Sequence, residues 1–97
     1  MYVESPYLLA SGALKKGGEK HHLLENKGFS TYSDPKVSTF IGKGILEITS
    51  ENETIYGDVY MVLNPKTWEE LDKLGERDMK KIKLVGGNYI NAQVYSL

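Results

Sequence analysis

The sequence predicts an α+β fold: a mixed, strongly curved sheet or small β-barrel with one main helix and one short helix. Three observations predict it. Short apolar, β-branched or aromatic runs recur at residues 7–10, 37–41, 45–48, 54–63, 79–85 and 89–95, each bounded by glycine, proline or polar residues. Only one stretch, 65–74, carries strong helical spacing, with Trp68, Leu71 and Leu74 three residues apart. The chain has 97 residues with no repeat, linker or low-complexity tract, which fits a single domain over 1–97 and leaves no room for a second core. Six short strands and one good helix cannot build a doubly wound sheet.

Taken in order, Tyr7-Leu8-Leu9-Ala10 is a short buried strand, broken by Ser11-Gly12 and followed by the loop Lys15-Lys16-Gly17-Gly18. Residues 19–26 place Leu23 beside Leu24 and end in Asn26-Lys27-Gly28, which suits a short helix stopped by glycine. Residues 29–32 read as a short extended piece and Ser33-Asp34-Pro35-Lys36 as a turn. The runs at 37–41 and 45–48 flank Gly42-Lys43-Gly44. They are consecutive strands or one strand bent at a glycine bulge.

Polar residues 50–53 mark a surface turn before the longest strand, 54–63. Its two faces are both largely apolar, so it is expected to be central. Asn64 caps the helix with Pro65 at its first position, or Thr67 and Glu70 form a capping box one turn later. Gly75 stops the helix, leaving Glu76 at its end. Residues 79–85 and 89–95 flank Gly86-Gly87-Asn88 and read as a closing hairpin.

Composition narrows the function classes. Twelve basic residues against thirteen acidic ones give a formal net charge of −1, so no overall field holds a polyanion and nucleic acid is not expected as a partner. The absence of cysteine excludes disulfides, thiolate metal sites and a cysteine nucleophile. No apolar run approaches the roughly 20 residues of a membrane span. Glu4 and Pro6 stand where a signal peptide carries positive charge and an apolar core, so a cytoplasmic location is expected. Oligomeric state is not legible.

Several residues need weighing individually. His21-His22 beside Glu19 and Glu25 suggests a metal, but adjacent helical side chains point about 100° apart and do not share an ion. No metal site is assigned. Lys15-Lys16 and Lys80-Lys81-Lys83 suit either an anion or a solvated face guarding a sheet edge, the second being favoured in a neutral chain. Tyr56, Tyr60, Tyr89 and Tyr95 are expected as partly buried core. Asp58, an acid inside the central strand, must reach solvent or find a partner, and it is a candidate pocket residue.

The run from Leu9 to Gly18, followed by His21-His22-Leu23-Leu24, resembles the opening of γ-glutamylcyclotransferase-like proteins, in which a strand runs into Tyr-Gly-Ser/Thr-Leu, a basic pair, glycine and a histidine-bearing helix. Tyr56-Gly57-Asp58-Val59-Tyr60 is similar to that family's Gly-Glu-Val-Tyr strand. Asn64-Pro65 through Leu71-Asp72 is similar to its helix, and Ala92-Gln93-Val94-Tyr95 to its closing strand. These short landmarks, in the family's order, cover most of the chain. The resemblance implies cyclisation of a γ-glutamyl group with release of an amine and formation of 5-oxoproline, without a metal or organic cofactor. It implies Glu76 as the acid/base, and the backbone around Ser11, Gly12, Ala13 and Leu14 as donors to the substrate oxygen that gains charge. Asp58 is implied as a structural acid of the same pocket.

Two departures bear on activity. Ser11 replaces the family's loop tyrosine. The family's Leu-Asp-x-x-Glu-Gly is here Leu71-Asp72-Lys73-Leu74-Gly75-Glu76, a one-residue shift that turns a helix-end side chain by about 100°. Three readings stay open: a cyclotransferase, a catalytically inactive member binding a small molecule or a protein, and an unrelated α+β interaction module.

Overall fold

A computed structural model describes residues 5–25, 37–48 and 52–96. They form a small α+β domain built as strand β1 (Tyr7–Ala10), two 3₁₀ turns (Gly12–Leu14 and His21–Leu24), β2 (Thr39–Ile48), β3 (Glu53–Met61), helix α1 (Pro65–Asp72), β4 (Glu76–Leu84) and β5 (Tyr89–Ser96). The five strands close into a mixed barrel in the order β1-β3-β2-β4-β5, with β5 returning to β1 in parallel through Leu8 and Gln93. All other pairings are antiparallel. Strand β3, expected to be central, is hydrogen-bonded to β1 on one side and β2 on the other, but in the closed barrel every strand is paired at both edges.

Because side chains alternate across a strand, β1, β3 and β5 each feed two apolar clusters. Leu9, Leu46, Val59, Ile82 and Ala92 fill the barrel interior. Outside the barrel, Leu8 and Ala10, Tyr60 and Val62, and Tyr95 meet Trp68 and Leu71 of α1 and Leu14 and Leu24 of the two 3₁₀ turns. The domain is therefore a barrel with a second apolar layer on one flank.

The helix begins as its sequence dictates. The Asn64 side chain accepts from the Lys66 amide at 3.0 Å, and Pro65 occupies the first turn, where its missing N–H costs nothing. Eight residues are too few for a stable isolated helix, so packing holds it. Trp68 donates its indole N–H to the Val62 carbonyl at 3.0 Å, and Leu71 is fully buried. Leu74 lies beyond the helix but still packs on the same cluster.

Three expectations are corrected or completed. The segments flanking Gly42-Lys43-Gly44 are one strand, bulged where the register against β3 shifts between Phe40 and Gly42. The short helix expected at 19–26 is only a 3₁₀ turn, His21–Leu24. Four residues cannot repay the nucleation cost of an α-helix, and the burial of Leu24 fixes the tighter turn instead. Tyr60 and Tyr95 are buried, whereas Tyr56 and Tyr89 stand 70% and 59% exposed, on a flank of the barrel that no helix among the described residues covers. The extended piece at 29–32, the turn at 33–36 and residues 50 and 51 of the polar turn lie outside the described residues. No helix among the described residues is long and apolar enough to cross a membrane.

Candidate functional site

The bulge in β2 determines which side chains share a surface. Without it, Phe40 and Lys43 have opposite parity and point to opposite faces. Ile41 is the extra residue, so Phe40 pairs with Tyr60 while Lys43 pairs with Asp58. Phe40, Lys43, Tyr60 and Asp58 thus line one groove on the outside of the β2–β3 ribbon. The Phe40 and Tyr60 rings meet edge to face with centroids 5.6 Å apart.

The segment after β1 forms the groove's lip. Its backbone folds back on itself through Gly18 N–H to the Lys15 carbonyl at 2.7 Å and Lys20 N–H to the Ala13 carbonyl at 2.8 Å. This places Lys16 and His21 over the ribbon. His21 Nδ1 donates to the Leu14 carbonyl at 2.9 Å, and because a carbonyl only accepts, the proton sits on Nδ1. Its ring centroid lies 6.0 Å from that of Tyr60.

The resulting cavity has a volume of about 580 Å³. A second cavity of about 430 Å³ continues from it past Lys15 and Tyr56, sharing Lys16, Lys43 and Asp58. Asp58 is half-buried and lines both cavities. Burial first, and then the negative charge of Asp58, push the Tyr60 phenol above its ordinary value, so it remains a hydrogen-bond donor. Chemically the groove offers two exposed lysine ammonium groups, one carboxylate, one phenol and an aromatic wall. Among the described residues no group of three or more His, Cys, Asp or Glu side chains is placed to hold a metal ion.

The remaining sequence-derived site residues lie elsewhere. Ser11 is half-buried and precedes the first 3₁₀ turn, its carbonyl accepting from the Leu14 amide at 3.2 Å. Gly12 is exposed with φ +57°, Ala13 is half-buried, and the Leu14 side chain belongs to the outer apolar cluster. None of these four lines either cavity. Glu76 is exposed at the first position of β4, opposite Ser96, and lines neither cavity.

The acid at the helix end that is built into the structure is Asp72. Tyr95 donates its hydroxyl to Asp72 Oδ1 at 2.6 Å, and Arg77 Nε lies 3.5 Å from the same oxygen. The guanidinium sits 4.9 Å from the Trp68 ring, and that ring stacks against Tyr95 at 6.4 Å. This cluster locks α1 onto β4 and β5.

Sequence reasoning found Asp58 but missed Phe40, Lys43 and Tyr60 as groove residues and gave His21 no pocket role. The available signal was Gly42-Lys43-Gly44: a glycine-flanked bulge often re-aims side chains. Comparison of the chain with protein-family models, curated proteins and solved structures gives no match in any of the three.

Proposed function

We propose that this domain is a small-molecule binding module whose ligand is a compact, ring-bearing anion or zwitterion held on the outer face of the β2–β3 ribbon. The observation that carries this reading is the convergence of Lys16, Lys43 and Asp58 on a groove walled by Phe40, Tyr60 and His21. The ammonium groups pair with a ligand carboxylate or phosphate, Asp58 accepts from an amino or hydroxyl group, and the rings cover an apolar body. The reading corresponds to a catalytically inactive member of the γ-glutamylcyclotransferase-like fold, whose characteristic ligand portion carries both an amino and a carboxylate group. The exposure of Glu76 away from the groove favours binding over turnover.

The test is calorimetric titration with a panel of γ-glutamyl amines, aromatic amino acids and small phosphate esters, together with an assay for 5-oxoproline. We expect saturable binding of at least one ligand, weakened about tenfold or more in Lys43→Ala and in Asp58→Asn, since a charge-assisted hydrogen bond contributes about 1.5–3 kcal/mol. Absence of binding across the panel overturns the reading. Release of 5-oxoproline that disappears in Glu76→Gln replaces it with a cyclotransferase.

A further inference from the structure

Beyond the small-ligand groove, the barrel carries a cross-strand row that the groove does not use. The register places Tyr56 of β3 opposite Ile45 of β2, Ile45 opposite Lys83 of β4, and Lys83 opposite Tyr89 of β5. These four residues all point outward, because Leu46 and Ile48, the opposite-parity neighbours in β2, pack in the barrel interior, and the row they form curves around the closed barrel. With neighbouring strands about 4.8 Å apart, the path along the curved surface from Tyr56 to Tyr89 through β2 and β4 covers three strand spacings, roughly 14 Å. Lys81 lies beside this row with its ammonium 5.2 Å from the Tyr89 ring.

We propose that this face is a platform for single-stranded nucleic acid, running from the Phe40–Tyr60 groove across Tyr56 to Tyr89. Three observations converge on that occupant. First, large rings stand in water: Phe40, Tyr56 and Tyr89 are 54%, 70% and 59% exposed. Second, the three successive depressions along the face share residues, Lys43 and Asp58 joining the first two and Ile45 joining the second to the third, so the track is continuous. Third, five lysines, at 15, 16, 43, 81 and 83, line that track against two acids, Asp58 and Glu47.

The formal net charge of −1 conceals this asymmetry. Acids concentrate elsewhere, with Glu69, Glu70 and Asp72 on α1 and Glu76 and Asp78 at the start of β4. Exposed rings alternating with ammonium groups match a strand of unpaired bases joined by phosphates, since each base offers a π-face and each phosphate a charge. An acidic peptide would satisfy the lysines but leave the rings without planar partners. A duplex keeps its base faces stacked inside and offers the exposed rings no π-face to stack on.

The proposal is tested by fluorescence anisotropy of the full chain with labelled 12-nucleotide oligo-dT and oligo-rU, at salt concentrations from 50 to 200 mM. We expect saturable binding whose logarithm falls linearly with the logarithm of salt, with a slope of about −0.7 per phosphate contacted. Lys81→Ala combined with Lys83→Ala should reduce that slope and weaken binding about tenfold at the lowest salt. Tyr56→Leu combined with Tyr89→Leu should weaken binding at every salt concentration with the unfolding midpoint unchanged. Glu47→Gln should tighten it, an outcome that loss of folding cannot imitate.

No saturable binding at 50 mM salt overturns the proposal. So does equal binding of a duplex of the same length, or full competition by an equal charge concentration of polyglutamate. Indifference to the tyrosine pair and to Glu47→Gln together has the same consequence. Small-ligand titration of the Lys81/Lys83 variant keeps the two proposals separate, because these lysines lie outside the Phe40–Tyr60 groove. A variant that still binds the small ligand, in a protein that never binds the oligonucleotide, removes the platform and leaves the binding module standing.

Discussion

At the scale of single residues, two glycines set how the barrel is filled. Gly44 and Gly57 face each other across β2 and β3, and both face the interior. A Cβ on Gly44 would lie 2.6 Å from Val59 Cγ2, 2.8 Å from Ile82 Cγ2 and 3.3 Å from Leu9 Cδ1, and one on Gly57 would lie 3.0 Å from Leu9 Cδ1. The Val59, Ile82 and Leu9 side chains therefore fill the room beside Gly44, and at Gly57 the Ala10 carbonyl oxygen, 2.5 Å from where such a Cβ would stand, leaves none. Gly44→Ala is expected to destabilise the domain by about 1–3 kcal/mol through overpacking, read as a lower midpoint in urea. Tyr95 offers a second test. Burial, then its hydrogen bond to Asp72, then that carboxylate's charge raise its phenol above the ordinary value of 10.0, against an opposing pull from Arg77. The folded state holds this proton more tightly than the unfolded chain does, so the stability it contributes is fully present below pH 10 and falls as pH rises towards the raised value. Tyr95→Phe should lose about 1 kcal/mol at pH 7. Its deficit relative to the parent protein should shrink between pH 10 and 11 in denaturant titrations, and a constant deficit would remove the Asp72 bond from the explanation.

At the scale of elements, α1 shows the balance between local signals and packing. Its first turn is capped by Asn64, and its inner face is anchored by Trp68 and Leu71. Asn64→Ala is expected to cost about 1 kcal/mol, the usual contribution of an N-cap. Trp68→Ala should cost about 3–5 kcal/mol, because it removes a large buried ring together with its bond to Val62 and its contacts with Arg77 and Tyr95. Equal losses in the two variants would mean that the cap, and not the packed face, holds the helix. The β2 bulge works at the same scale. One extra residue changes no strand assignment, yet it brings Phe40 onto the face of Lys43 and so creates the groove.

For the whole molecule, two apolar clusters sharing β1, β3 and β5 predict a single cooperative unit. Trp68, the only tryptophan, reports the outer cluster, and far-ultraviolet circular dichroism reports the barrel. The two signals should unfold with the same midpoint, and separate transitions would show that the helical layer detaches from an intact barrel. Much of this architecture was legible in the sequence. The α+β class, the short strands, the main helix with Asn64 as one of its two possible caps and the closing hairpin all follow from local patterns: apolar and β-branched runs, helical spacing, and turn residues such as Gly86-Gly87-Asn88. Each is fixed by a residue and its near neighbours in the chain, which is what a single sequence displays. Of the candidate site, the sequence singled out Asp58, whose carboxylate is conspicuous inside a strand, and weighed Lys16 only as half of a basic pair favoured as solvated. Lys16, His21, Phe40, Lys43 and Tyr60 are ordinary surface or core types wherever they occur, and only pairing register and the folding-back of the loop after β1 assemble them. Register also decides which tyrosines are covered, since α1 shields one flank of the barrel and leaves Tyr56 and Tyr89 on the other. The sequence by itself thus determined the elements and their kind, while tertiary structure decided the surfaces, because a surface is made by residues distant along the chain and one bulged residue is enough to exchange its faces.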